Sequence, residues 1–504
     1  MQMIAKAGAP STWENIDWKP IETRVHRLQV RIAKAIRQRR YGKVKALQWI
    51  LTHSLNAKLL AIKRVTSSQG SKTPGVDKVI WSTPNAKLSA VKLLKRRGYK
   101  SQPLRRVYIP KANKELRALG IPTMVDRAQQ ALYLLSLEPI AETLADKNAY
   151  GFRRGRSSAD AIEQCVRTLW QKGSAEWILE GDIKSCFDNI SHDWLMKNIT
   201  VDKVMLKQWL KSGYISNSCY NPTENGAPQG GIISPTLLIL TLSGLEQAVK
   251  ANINQRRDKV HVISYADDFI ITGITEEVLI QKVMPVIKEF LGERGLSLSL
   301  SKTKITHVSK GFDFLGLTVR KFDKLITKPS KTSVQRLLTN IRHTVKVNKM
   351  AKTENLIRIL NAKLLGWGNY YRFSSASKEF SKVDSEIFAI MWKWIRSRHT
   401  RKPVWWRKKR YYRSVGRDNW VFFAKTVNSK TGKAEYMDMI KLSKISIRRH
   451  VKIKGEANPF DDQYGEYFKL RKEKPWRGKT RVFDTIPYHQ LNESLGRSYG
   501  CRKA

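Results

Sequence analysis

An α+β fold is expected for this chain, and three observations carry the expectation. Apolar residues recur at helical spacing near both ends. Short β-branched and aromatic runs gather in the middle, and two of those runs end in aspartate. Charge is equally marked: 94 Lys and Arg against 42 Asp and Glu leave a formal +52 over 504 residues. A chain of this length accommodates several domains and a large core. So lopsided a balance addresses partners rather than fold. It points to a polyanion, with nucleic acid favoured over a membrane surface.

The elements follow in order. Residues 1–75 read as a basic helical extension, with Val25, Leu28, Ile32 and Ile36, then Leu47, Leu51, Leu55, Leu59 and Ile62 at helical spacing. Arg37, Arg39 and Arg40 interrupt it, and Pro74-Gly75 breaks the chain into a loop. Arg105–Lys111 and Glu115–Pro122 read as a β-hairpin around Ala112-Asn113-Lys114. Its cations either grip phosphates or are ordinary strand-edge residues. A helix is expected from Asp126 to Leu144. Tyr150–Ser157 mixes glycines with Arg153, Arg154 and Arg156, either a close approach to a ligand or a basic surface turn. Ser234-Pro235 looks like a helix start, a cap followed by proline. Glu276–Arg294 reads as helix, and the alternating Leu296, Leu298 and Leu300 as strand.

From residue 331 onward the composition shifts: 41 Lys and Arg against 14 Asp and Glu give 41 − 14 = +27. Residues 331–400 are strongly helical in pattern, through Leu337, Ile341, Val345, Leu356, Ile359, Leu360 and Leu364. Arg401–Arg413 interleaves seven cations with four aromatics, a mix suited to phosphate neutralisation and base stacking. The four cysteines, Cys165, Cys186, Cys219 and Cys501, are scattered. No zinc site or disulfide framework is expected from them, and a reducing interior fits. Ile232–Leu245 is too short and too polar to span a bilayer, and no signal-peptide core opens the chain. A cytoplasmic protein without membrane partners is expected.

The chemistry concentrates in two acidic stretches. In Val262–Thr272, β-type runs flank Tyr265-Ala266-Asp267-Asp268. Adjacent carboxylates repel unless a cation neutralises them, and a hard divalent metal does so with oxygen ligands. An exposed type I′ turn is the plainer alternative. Upstream, the apolar run Trp177–Leu179 leads to Asp182 at a strand end. Two such strands side by side would converge Asp182 with Asp267 and Asp268. Phosphoryl transfer needs positioning and charge stabilisation, which paired metals in a carboxylate cage supply.

Asp182-x-x-x-x-Phe187 followed by Tyr265–Asp268 resembles motifs A and C of reverse transcriptases. Between them, Ala227-Pro228-Gln229-Gly230 resembles the family's Pro-Gln-Gly motif. Leu364–Phe373 resembles the maturase thumb, domain X. The pattern from about residue 70 to about residue 470 is similar to proteins encoded by group II introns, which are mobile self-splicing RNAs.

The resemblance implies a right-hand polymerase. Fingers and palm, with an antiparallel palm sheet, would occupy 76–330, an α-helical thumb 331–415, and a small basic DNA-binding domain 416–504. It implies RNA-directed DNA polymerisation, with two Mg²⁺ at Asp182, Ile183, Asp267 and Asp268. Lys111 and Arg117 would hold the triphosphate, Phe187 would gate the sugar, and Gln229 would lie near template, primer and nucleotide. Lys302 would act as general acid for the leaving pyrophosphate. Arg153, Arg154 and Arg156 would contact the template, Phe314-Leu315-Gly316 would form the primer grip, and Arg407, Lys408, Lys409 and Arg410 would bind nucleic acid. The implied partners are the parent intron RNA, target DNA, an RNA template with DNA primer, and deoxynucleotides. The His-Asn-His endonuclease of many relatives needs paired cysteines and clustered histidines. Only His489 and Cys501 follow Asn458-Pro459-Phe460, so no nuclease is expected. An RNA-binding splicing cofactor with little polymerase activity, or a reverse transcriptase from outside introns, is the rival reading. The intact aspartates and the basic tail weigh against both.

Overall fold

The computed structural model describes residues 12–110, 115–251, 253–427 and 432–473. These fall into two units. Residues 12–156, 179–305 and 453–473 form the first, and 157–178 with 306–452 form the second.

In the first unit, the helices Trp18–Arg37, Tyr41–His53 and Leu55–Thr66 pack on the helix Met124–Leu144. Asp17 caps the first of them by accepting from the Lys19 amide, and Lys34 and Arg37 complement the dipole at its end. The apolar faces expected there are buried at Val25, Ile32, Ile36, Leu47, Leu51, Leu59 and Ile62. Met124–Leu144 is buried along nearly its whole length and contains Pro139. Proline has no N–H to give the Leu135 carbonyl four residues back. Gln29 Nε2 donates to that carbonyl instead, at 2.7 Å. A buried glutamine thus supplies the bond that the proline removes.

Two sheets follow. The expected hairpin is present as β1 (Leu104–Pro110) and β2 (Leu116–Ile121), antiparallel from Arg105↔Ile121 to Pro110↔Leu116. The remaining strands here are β3 (Trp177–Asp182), β4 (Tyr214–Ser216), β5 (Cys219–Asn221), β6 (Val262–Tyr265), β7 (Asp268–Gly273) and β8 (Lys304–His307). One sheet runs β2-β1-β4-β5, with β1 parallel to β4, and the other β6-β7-β3-β8.

Two local expectations are corrected, and a third is refined. The leucine alternation at 296–300 does not make a strand; only Leu298 bridges, to Ile183, and Leu300 is 79% exposed. The segment is held by its main chain: Ser299 N donates to Asp182 O at 2.8 Å and Lys184 N to Ser297 O at 2.9 Å. Ser234 is the first helical residue rather than the cap, and its hydroxyl donates to the Pro228 carbonyl. The helix expected over 276–294 is present over 276–292, with a π-helical stretch, Val278–Val283, ahead of Met284–Gly292.

The second unit holds the helix Ser158–Leu169, started by a Ser157–Asp160 capping box. It also holds the sheet β11-β10-β9, from β9 (Phe312–Phe314), β10 (Leu317–Lys321) and β11 (Leu325–Pro329). The expected helical region is Lys331–Val347, Thr353–Tyr371 and Ser377–Arg398, followed by Val404–Tyr411. Leu337, Ile341, Val345, Leu356, Leu360 and Leu364 are buried as anticipated, whereas Ile359 is exposed. A last sheet, β12-β13-β14, comprises β12 (Tyr412–Val415), β13 (Asp418–Val427) and β14 (Ala434–Asp438). Residues 453–473 do not continue this unit but belong to the first. Among the described residues, no helix is long and apolar enough to cross a membrane.

Candidate active site

The aspartates stand at the tips of neighbouring strands. Tyr265 pairs with Asp268, so Ala266 and Asp267 are the two central residues of the β6–β7 turn. Of these only Ala266 has positive φ, at 59°. The turn is therefore not type I′, which requires left-handed backbone at both central positions. β3, ending in Asp182, is the neighbour of β7. Gly181 is required there, because a Cβ would meet the Phe269 ring at 2.2 Å. The turn is also backed from one side: a Cβ on Gly151 would fall 2.2 Å from Ala266 N. Tyr150 N donates to Ser264 O at 2.9 Å, which holds that loop alongside β6.

Electrostatics mark the site. Burial, then the charges of Asp267 and Asp182, push the Asp268 carboxyl up to about 7. Burial chiefly, with repulsion from Asp182, raises Asp267, opposed by Arg117 and Lys302. Lys302 Nζ donates to Asp182 Oδ2 at 3.0 Å, and that bond raises the lysine. Arg117 is exposed on β2 and adds a cationic influence on Asp267. Among the described residues, no three His, Cys, Asp or Glu side chains are gathered closely enough to hold a metal as they stand. The three aspartates interact through charge, and an ammonium rests on one of them. Their chemistry, all oxygen donors with two half-buried acids raised by desolvation and then by mutual charge, fits a hard divalent cation. Ile183 is buried and bridged to Leu298.

Other expected positions surround them. Phe187 is half-buried, edge-to-face with Phe152 at 6.3 Å between ring centroids. Gln229 Nε2 donates to Asp188 Oδ2 at 3.3 Å, and its carbonyl accepts from Gly120 N at 2.7 Å. The Pro-Gln-Gly loop is thereby tied to β2 and to the chain following Asp182. Asp188 was not among the expected site residues; only its sequence proximity to Phe187 hinted at it. Lys111 lies outside the described residues.

The arginine loop is a correction. Arg153 and Arg156 are buried, and both bond Glu142. Arg153 also donates to the Asp146 and Ala149 carbonyls, and Arg156 to those of Lys147, Gly455 and Ala457. With their donors spent internally, neither guanidinium faces a template. Arg154 alone stays half-exposed, paired to Glu138 at 2.6 Å and 5.6 Å from the Phe460 ring centroid. Arg407 likewise spends donors on the His399 and Thr400 carbonyls. Lys408, Lys409 and Arg410 are exposed, and among the described residues no ion pair engages them. In the second unit, the side chains of Phe314 and Leu315 are buried. Leu315 and Gly316 are left-handed, clamped by Tyr370 Oη on Leu315 O and Ser333 Oγ on Gly316 O, both at 3.0 Å.

Three family models match the chain. Residues 109–319 match the reverse transcriptase (RNA-dependent DNA polymerase) model, 13–94 the N-terminal domain of reverse transcriptase, and 334–412 the group II intron maturase-specific domain. Protein YkfC of Escherichia coli is 34% identical over 350 residues, 60% of this chain and 90% of its own. Group II intron-encoded protein LtrA of Lactococcus lactis is 28% identical over 63% of this chain and 68% of its own. A solved telomerase from Candida albicans aligns over 60% of this chain and 54% of its own, at 14% identity and a TM-score of 0.36. With the polymerase model over the aspartate strands and the maturase model over the long helices that follow, the chain belongs to the group II intron-encoded proteins, RNA-directed DNA polymerases that carry a maturase domain.

Proposed function

We propose that DNA synthesis takes place at Asp182, Asp267 and Asp268, and that Mg²⁺ is the ion these residues hold. The observation that carries this reading is the packing of two adjacent, half-buried carboxylates beside a third, where desolvation and mutual charge raise Asp268 to about 7. Such repulsion is costly in a folded protein and is relieved by a divalent cation. When bound, the ions would neutralise the transferring phosphoryl group and align the attacking primer hydroxyl.

The chain's own groups do the rest. Gly151 and the strand pairing hold the turn rigid, so that Asp267 and Asp268 present their oxygens from a fixed frame. Lys302 stays protonated through its bond to Asp182 and is placed to give a proton to departing pyrophosphate. Arg117 pulls the triphosphate toward Asp267, in company with Lys111. Phe187, braced by Phe152, lies under the sugar and excludes a 2′-hydroxyl. Gln229, held by Asp188, positions the nucleotide edge.

The match of 334–412 to the maturase model supports binding of the parent intron RNA. Intron RNA, an RNA template with DNA primer, deoxynucleotides and target DNA are the partners we assign, in the interior of the cell where these meet. Primer extension on an RNA template, wild type beside Asp267→Ala, tests the reading. Synthesis by wild type alone supports it. Equal synthesis by both removes the aspartates from the chemistry.

A further inference from the structure

Four aromatic rings of the second unit form a cluster that the polymerase chemistry does not use. Phe388 and Trp392, one helical turn apart on Ser377–Arg398, lie near-parallel, 6.2 Å between centroids and 9° between planes. Trp420 of β13 stands across them, at 5.7 Å from Phe388 and 6.1 Å from Trp392. Tyr412 of β12 closes the floor, 5.3 Å from Trp420. An ordinary core would bury such rings, as it does Tyr411, Trp394 and Phe422 beside them. Here Phe388 and Trp420 each remain 38% exposed after all their neighbours have packed.

Two further observations indicate what the cluster awaits. The Tyr412 hydroxyl, on a residue only 5% exposed, has no hydrogen-bond partner among the described residues. A buried donor left unmade is destabilising, so the cluster is costly as it stands. Around the rings the charge is cationic. Lys408 Nζ sits 4.5 Å from the Trp420 ring centroid, and Lys409, Arg410 and Arg417 are exposed nearby in sequence. The acids adjoining the cluster are already neutralised: Asp418 by Lys441 and Lys444, and Glu386 by Arg342.

We infer that this cluster is a stacking site for an unpaired base of single-stranded nucleic acid. A flipped base would stack on the exposed part of Trp420, with the Phe388 ring, at 87° to it, against the base edge. Lys408 would take the adjoining phosphate, and the Tyr412 ring would support Trp420 from beneath. A duplex offers its phosphates but no free base face, so it would use the cations alone. The inference rests on the reading of this chain as a nucleic-acid-binding polymerase, and deepens it by naming the substrate form and the residues.

The test measures binding by the full chain, using fluorescence anisotropy of labelled oligouridine RNA, oligothymidine DNA, the same DNA strand with abasic sites, and a blunt duplex. Trp420→Ala is expected to weaken the base-bearing single strands about ten- to hundredfold, the worth of one stacked base. The abasic strand and the duplex should bind unchanged. Trp420→Tyr, which keeps a π-face, should retain most of the affinity. Tyr412→Phe, which keeps the supporting ring, should leave single-strand binding unchanged and thermal stability equal or higher, because it removes an unsatisfied buried hydroxyl. Whichever of RNA and DNA loses more identifies the strand the site serves. Equal loss on the abasic strand would reduce the cluster to a phosphate contact and overturn the inference. No loss on any strand would assign the face to another partner, including a protein, and overturn it equally. Should wild type bind no single strand, primer extension by the same preparation shows whether the polymerase reading survives without this site.

Discussion

Two clusters of charge, one buried and one half-buried, lie in the first unit, and they are built on opposite terms. At Glu142 one carboxylate meets the guanidiniums of Arg153 and Arg156, and the leftover donors find main-chain carbonyls. At the β6–β7 turn two carboxylates face a third, with a lysine on one edge and an arginine acting from β2. The first cluster is satisfied without outside help and serves the fold. The second carries surplus negative charge and serves the chemistry. Charge balance is what separates their roles.

Substitutions that alter the balance should act in opposite directions. Asp268→Asn relieves repulsion, so the metal-free protein should melt a few degrees higher at neutral pH. DNA synthesis by the same variant should fall about a thousandfold or more, the loss expected when a metal-binding carboxylate goes. If the variant melted lower, the surplus of charge would be illusory. Glu142→Gln should destabilise the fold by about 3–5 kcal/mol, because it leaves two guanidiniums buried without their acid. Denaturant titration would read this, and a shift under about 1 kcal/mol would show that the carbonyl oxygens suffice. Phe187→Ala should relax selection against ribonucleotides by about ten- to hundredfold, with stability little changed. Competition between ribo- and deoxynucleotides in primer extension measures it.

The smallest effect is on pH. Burial lowers His26, His192 and His261 below the ordinary imidazole value of 6.5. The unfolded chain then binds protons that the folded chain resists. The stability these groups contribute is fully present above about pH 6.5 and declines as pH falls through that value. Asp267 and Asp268, raised in the fold, act the other way and gain stability as pH falls, so the histidine share is read by difference: His192→Gln should lose less melting temperature between pH 7 and 5 than wild type does.

Much of this was legible in the sequence because it is local. Adjacent Asp267 and Asp268 between β-branched runs, Asp182 at the end of an apolar run, and the helical spacing of Leu337 through Leu364 are each written within a few residues. Distant partners were not legible. Nothing in Tyr150–Ser157 tells that Glu142 absorbs its arginines, or that Gly455 and Ala457 return to them. The alternation at Leu296–Leu300 satisfies the strand pattern, but the side chain of Leu300 meets solvent. The adjacency of β3 and β7 joins residues some ninety positions apart and leaves no mark in either segment.

The return of residues 453–473 to the first unit also bears on how the protein is made. Arg37 reaches Asp461 in a 2.8 Å ion pair, and Asn458 reaches Thr143. The pair at Arg37 spans 461 − 37 = 424 residues. At a synthesis rate of about 5–20 residues per second, the ribosome needs roughly 20–85 s between making one partner and the other. Throughout that interval the nascent polymerase half lacks the strap that caps Arg156. The polymerase half cannot be finished on the ribosome until nearly the whole chain has emerged.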